Sequence, residues 1–199
     1  MNTIITIARE YGSGGRIIAH KLAEQLGYEF YDEELIEMAA NKIGFSEEYV
    51  KENEEQKNFS FLSNFYSIPG ELPVSDQIFI AESNAIREAA EKSNCIIVGR
   101  CACFILRDRP NVVRVFMHAP KAYRLEQAAK MKSLPPKELE KFVDKTNRQR
   151  REYSEFYTGE KWDDAHNYDL CLDASKLGYE KCVQIIKGYM KVRFDGLEF

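Results

Sequence analysis

The sequence predicts an α/β protein in which a parallel sheet carries helices on both faces. Three observations predict it. Short β-branched or apolar runs alternate along the chain with segments of helical periodicity, the order that a parallel sheet requires. The run CIIVG (95–99) is apolar throughout, as in a strand buried on both faces. A glycine-rich stretch, EYGSGGR (10–16), joins the first strand to the first helix.

The elements follow in order. NTIITIA (2–8) is short and β-branched, and reads as a strand. RIIAHKLAEQLG places Ile18, Leu22 and Leu26 on one helical face, and Gly27 is a natural C-terminal stop. An extended piece over Glu29–Tyr31 leads to DEELIEMAANKIG, where Leu35, Ile36, Ala39, Ala40 and Ile43 recur at helical spacing. Residues 52–75 mix charges with Phe59, Phe61, Phe65, Tyr66 and a Pro-Gly pair, and read as a mobile excursion rather than a second domain. Asp76 is placed to cap a helix reaching Lys92, with Ile78, Ala81, Ala85 and Ala89 on its apolar side. Val112–His118 is the next strand after CIIVG. Pro120 opens a helix that Pro135 and Pro136 end, and a longer polar helix runs through NRQRR. YDLCLDA (168–174) is a late strand. The last helix turns Tyr179, Cys182, Val183, Ile186, Tyr189 and Met190 inward.

With 199 residues, 44% of them hydrophobic and 30% charged, the chain suits one domain with its own core. No apolar run approaches the ~20 residues that span a bilayer, and MNTIITIARE lacks the pattern of a signal peptide. A net charge of −4 runs against general nucleic-acid binding, which depends on surplus Lys and Arg. The expectation is a cytoplasmic protein with neither membrane nor nucleic acid as partner. The five cysteines fit reduced thiols. Cys101 and Cys103 form a C-x-C without a second pair at zinc spacing, so the thiols are read as buried or half-buried.

EYGSGGR has two physical features of a phosphate cradle. Gly12, Gly14 and Gly15 allow the backbone to turn several N–H groups inward. The helix beginning near Arg16 then offers unpaired N–H groups and the positive end of its dipole. The pattern departs from G-x-x-x-x-G-K-S/T, because neither register supplies both the lysine and the Mg²⁺-binding hydroxyl. Ser13 is the nearest hydroxyl. Arg9 and Arg16 flank the loop, and Arg16, at the helix start, is the favoured substitute for the lysine.

Four segments then resemble the cytidylate kinase-like family. They are ITIAREYGSGGRIIAHKLAEQLGYEFYD, FYDEELI (30–36), IIVGRCACFIL (96–106) and RREYSEFYTGEKWDDAHNYDL (150–170). In sequence order they lie between residues 5 and 170, on both sides of residues 45–75. The resemblance implies a P-loop nucleoside monophosphate kinase fold over residues 1–199, with a helical monophosphate-binding arm at 45–75 and a lid at 134–160. It also implies ATP and Mg²⁺ as cofactors, and a nucleotide, CMP or dCMP foremost, as acceptor.

The same resemblance assigns roles, which chemistry supports. Phosphoryl transfer needs positioning and charge stabilisation, and arginine's planar fork suits phosphate. Arg100 follows CIIVG at the carboxyl end of a strand and is assigned to the acceptor monophosphate. Asp32 is assigned to a Mg²⁺-bound water or to orienting the acceptor, with helix capping as its plain alternative. Arg148 and Arg150 are assigned to the lid. On a helix Arg148 shares a face with Arg151 while Arg150 projects elsewhere. Asn147 stands where the family has aspartate, and Cys103 where it has another. Arg9, Gly12, Ser13, Gly14, Gly15 and Arg16 form the expected ATP phosphate site, and metal ligands are unassigned. Two other readings stay open: a nucleotide-binding sensor without catalysis, and a kinase of another small molecule. Homo-oligomerisation through the aromatics at 59–66 is also left open.

Overall fold

The computed structural model describes residues 2–32, 35, 38 and 72–194. Among the described residues five strands build the sheet: β1 (Ile4–Arg9), β2 (Glu29–Tyr31), β3 (Cys95–Val98), β4 (Val112–His118) and β5 (Leu170–Asp173). All pairs are parallel, in the order β2-β3-β1-β4-β5. The described helices are α1 (Gly15–Leu26), α2 (Val74–Lys92), α3 (Ala102–Ile105), α4 (Lys121–Met131), α5 (Pro136–Thr158) and α6 (Ala174–Arg193).

Strand alternation sends successive side chains to opposite faces. Ile5, Ile7, Ile96, Val98, Val113, Val115 and Met117 meet Ile18 and Leu22 of α1 and Cys182, Val183 and Ile186 of α6. Ile4, Cys95, Ile97 and Val112 meet Ala85, Ile86 and Ala89 of α2 and Ala102 of α3. Each fully buried Ile or Leu side chain contributes roughly 1.5–3 kcal/mol. The helices thus cover both faces, as predicted, and no described helix is long and apolar enough to cross a membrane.

Several boundaries move for local reasons. β1 continues through Arg9 because the ladder to β4 extends to the Arg9–Met117 pair. α2 begins at Val74 with Pro73 in the cap position, so Asp76 lies in the first turn and accepts from Tyr157 Oη at 3.3 Å instead of capping. β5 is shortened because the Asp173 carboxylate caps α6 through the Ser175 N–H at 2.9 Å. Cys171 is exposed, against the expectation for all five thiols. Thr158-Gly159 ends α5: Gly159 N–H donates to Glu155 and Thr158 Oγ1 to Ser154. The helix read from DEELIEMAANKIG lies outside the described residues except for Asp32, Leu35 and Met38. The arm at 45–75 lies outside them up to residue 71.

Candidate active site

β1 brings the chain to the carboxyl edge of the sheet at Arg9, and residues 10–14 turn it into α1. Gly12 and Gly14 have φ of 81° and 82°, a region that strains side-chain-bearing residues. Packing makes a second demand. A Cβ on Gly12 would overlap the Arg124 carbonyl of α4, and one on Gly14 would overlap the Tyr179 ring of α6. Glu10 ties the loop from behind: its Oε2 accepts the Ala119 N–H at 3.1 Å and meets Arg124 Nε at 3.2 Å. The Ser13 hydroxyl donates to the Glu10 carbonyl at 2.8 Å, and Tyr11 N–H donates to Asn147 Oδ1 of α5 at 2.7 Å. No side chain caps α1 among the described residues, and its first turn lines a cleft. The positive end of the helix dipole there favours an anion.

The cleft encloses about 820 Å³ at the carboxyl ends of the strands, where open α/β sheets bind ligands. Four arginines from four parts of the chain line it: Arg9, Arg16, Arg100 and Arg150. Asp32 lies among them, with Oδ2 at 2.7 Å from Arg16 Nε and Oδ1 at 3.8 Å from Arg9 Nη2. Arg150 Nη1 donates to the Arg9 carbonyl at 3.0 Å, and its guanidinium lies over the Tyr11 ring. Burial pushes Arg9 down to about 10, with the pull of Asp32 opposed by Arg100 and Arg16. Burial and then the charge of Arg9 hold Arg150 well below the ordinary arginine value. Such crowding of like charges costs free energy that an incoming anion would offset.

Arg100 lies just past β3, and both it and Cys101 adopt positive φ, 53° and 55°. Its Nη1 is 3.3 Å from Oε1 of Glu82, a fully buried carboxylate of α2. Tyr153 of α5 donates its hydroxyl to the other Glu82 oxygen at 2.7 Å. Burial first, then the Glu82 charge, pushes the Tyr153 phenol well above its ordinary value.

The structure therefore brings Arg9, Gly12, Gly14, Gly15, Arg16, Asp32, Arg100 and Arg150 around one cleft. Arg148 is not brought there; it is 67% exposed and faces Glu152 along α5. Ser13 is fully buried with its hydroxyl turned to the loop backbone. Glu82, Tyr153 and Asn147 were not singled out for the site. Asn147 braces the glycine loop through its carbonyl oxygen. Trp162 packs edge-on against Phe116 at 5.3 Å between ring centres and lines the cleft.

The cradle and the arginines fit a polyphosphate. No group of three or more His, Cys, Asp or Glu among the described residues could hold a metal by itself. Glu10 and Asp32 are carboxylates that line the cleft, and one or two carboxylates joined by nucleotide phosphates and waters are the kind of donor set that suits Mg²⁺.

The comparisons agree with this architecture. An uncharacterized protein from Eubacterium ventriosum ATCC 27560 superposes with a TM-score of 0.73 at 28% identity, over 96% of this chain and 99% of that one. A shikimate kinase from Bacteroides thetaiotaomicron superposes at 0.57 with 14% identity, over 95% and 98%. A deoxyadenosine kinase from M. mycoides, bound to its products dCMP and dCDP, superposes at 0.54 with 15% identity, over 96% and 100%. The last two are likenesses of fold, that of P-loop nucleoside monophosphate and shikimate kinases. No curated protein matches the chain. The cytidylate kinase-like family matches residues 4–176, which hold the whole described sheet and every described helix but α6, and the chain belongs to that family.

Proposed function

We propose that the protein transfers a phosphoryl group from ATP to a nucleoside monophosphate, with CMP and dCMP as the foremost acceptors. Family membership supports phosphoryl transfer in general. The observation that carries the reading is the convergence of Arg9, Arg16, Arg100 and Arg150 on one cleft beside a glycine loop, with Asp32 among them. Phosphoryl transfer asks for little more than aligned phosphates and cations on the charge that builds up.

In this reading the glycine loop and the first turn of α1 cradle the donor phosphates. Arg100, on the neighbouring strand end, grips the acceptor phosphate. Arg150 comes from α5, the helix that occupies the lid region, and helps to exclude water. Mg²⁺, when bound with ATP, neutralises phosphate charge, and Asp32 orients the ligands around it. The protein works on small molecules in the cytoplasm.

The test is transfer from γ-labelled ATP with Mg²⁺ to CMP, dCMP, UMP, AMP, GMP and shikimate. A labelled product with one acceptor, reduced about 10²–10³-fold in Arg100→Ala, supports the reading and names the acceptor. The inward-turned hydroxyl of Ser13 favours the alternative of a nucleotide sensor. Tight ATP binding without transfer to any acceptor would establish that alternative.

A further inference from the structure

We infer that Arg9, rather than Arg16, is the cation that grips the terminal phosphate of the bound polyphosphate, and that Gly99 is there to make room for it. The inference rests on the phosphoryl-transfer reading for the nature of the anion.

Three features place Arg9. Its Cα ends β1, the central strand, at the edge where the glycine loop begins. Its side chain crosses toward the end of the neighbouring strand β3, where a Cβ on Gly99 would overlap Arg9 Nη1. At its root a Cβ on Gly15 would stand 2.6 Å from Arg9 Cβ, so both ends of the side chain are seated against glycines. Arg150 fixes the backbone by donating to the Arg9 carbonyl. Its guanidinium thus lies between the donor cradle and Arg100, where the outer phosphate of a donor meets its acceptor.

Arg16 is differently placed. It is 55% exposed and its Nε sits 2.7 Å from Asp32, while Arg9 is 3.8 Å from the same carboxylate and more buried. An exposed, closely paired guanidinium gains little from another anion. A buried, incompletely neutralised one gains more. During transfer an acceptor phosphate oxygen bonds to the terminal phosphorus as the bond to the bridging oxygen breaks, its electron pair leaving with the diphosphate. The charge spread over the equatorial oxygens is what Arg9 faces.

The experiment measures ATP and ADP binding by calorimetry, with inorganic tripolyphosphate and pyrophosphate in parallel. The proteins are wild type, Arg9→Ala, Arg9→Lys, Gly99→Ala and Arg9→Ala/Gly99→Ala. Arg9→Ala should weaken ATP and tripolyphosphate by about 10–100-fold, the range for hydrogen bonds to charged groups. ADP and pyrophosphate should stay within about twofold, and Arg9→Lys should fall between. Gly99→Ala should copy Arg9→Ala in the wild type and add nothing in the Arg9→Ala background. Its positive φ can also impair folding, so the Arg9 variants carry the test alone where it does.

Equal loss of ATP and ADP binding in Arg9→Ala, or loss of neither, overturns the assignment. So does a Gly99→Ala penalty that persists in full without Arg9. Arg9-dependent binding of tripolyphosphate by a protein that transfers nothing would remove the kinase reading and keep the Arg9 assignment. Transfer that is indifferent to Arg9→Ala would do the reverse.

Discussion

Glu82 decides what kind of residue Arg100 can be. A carboxylate with no exposure is costly unless paired and hydrogen-bonded, and here Arg100 and the Tyr153 hydroxyl supply the partners. Arg100 is thereby held at a backbone conformation that a side-chain-bearing residue rarely adopts. Removing the hydroxyl in Tyr153→Phe takes a hydrogen bond from a buried charge and should destabilise the protein by about 1–3 kcal/mol. Thermal unfolding checks this, since a chain of this length loses about 2–4 °C per kcal/mol. Acceptor KM should also rise more than kcat falls, because a loosened Glu82 no longer aims Arg100. An unchanged KM beside a lowered melting temperature would make the network purely structural.

At the scale of elements, α5 matters most, because it is joined both to the glycine loop and to the end of β1 that leads into it. Asn147 accepts the Tyr11 N–H, and Arg150 donates to the Arg9 carbonyl. Replacing Asn147 with Leu leaves the Tyr11 N–H without that acceptor. ATP affinity should drop about 5–50-fold with little change at the acceptor, a split that steady-state kinetics with each substrate varied would display.

This element also marks what the sequence could and could not tell. Helical spacing puts Arg148 and Arg150 on different faces, yet both are assigned to the lid from the sequence, and the structure turns only Arg150 into the cleft. The strands were readable because their buried positions are mostly apolar, with Thr6 of β1 as a polar exception. Glu82 and Tyr153 are 71 residues apart, and Tyr11 and Asn147 are 136 apart, so no local pattern announces either contact. Arg9 was visible as a flanking charge. Its direction depends on where β3 ends and on the space that Gly99 leaves, which only the folded sheet determines.

For the whole molecule, one acidic residue links the far side of the sheet. Asp169, just before β5, accepts from the Arg114 backbone and guanidinium on β4 and pairs with Arg193 in the last turn of α6. Burial alone would raise its pKa, but hydrogen bonds and charge from Arg114 and the charge of Arg193 outweigh burial and lower it. A carboxylate depressed in the folded state stabilises above its unfolded value, about 4, and that stabilisation is lost as pH falls through the folded value. Asp169→Asn should therefore cost about 1–3 kcal/mol at pH 7 and flatten the loss of stability below pH about 4. Denaturant titrations at pH 7 and across the acid range test both parts. A mutant as acid-labile as the wild type would contradict the assignment.

Gly12 and Gly14 carry one more consequence. They are required by their positive φ and by the Arg124 carbonyl and the Tyr179 ring packed against them, whatever ligand lies in the cleft. A descendant that gave up its reaction would keep these glycines for folding, while its arginines, costly to bury together, would be released to drift. Among relatives of this chain, the glycine loop therefore testifies to ancestry, and the arginines around it testify to employment.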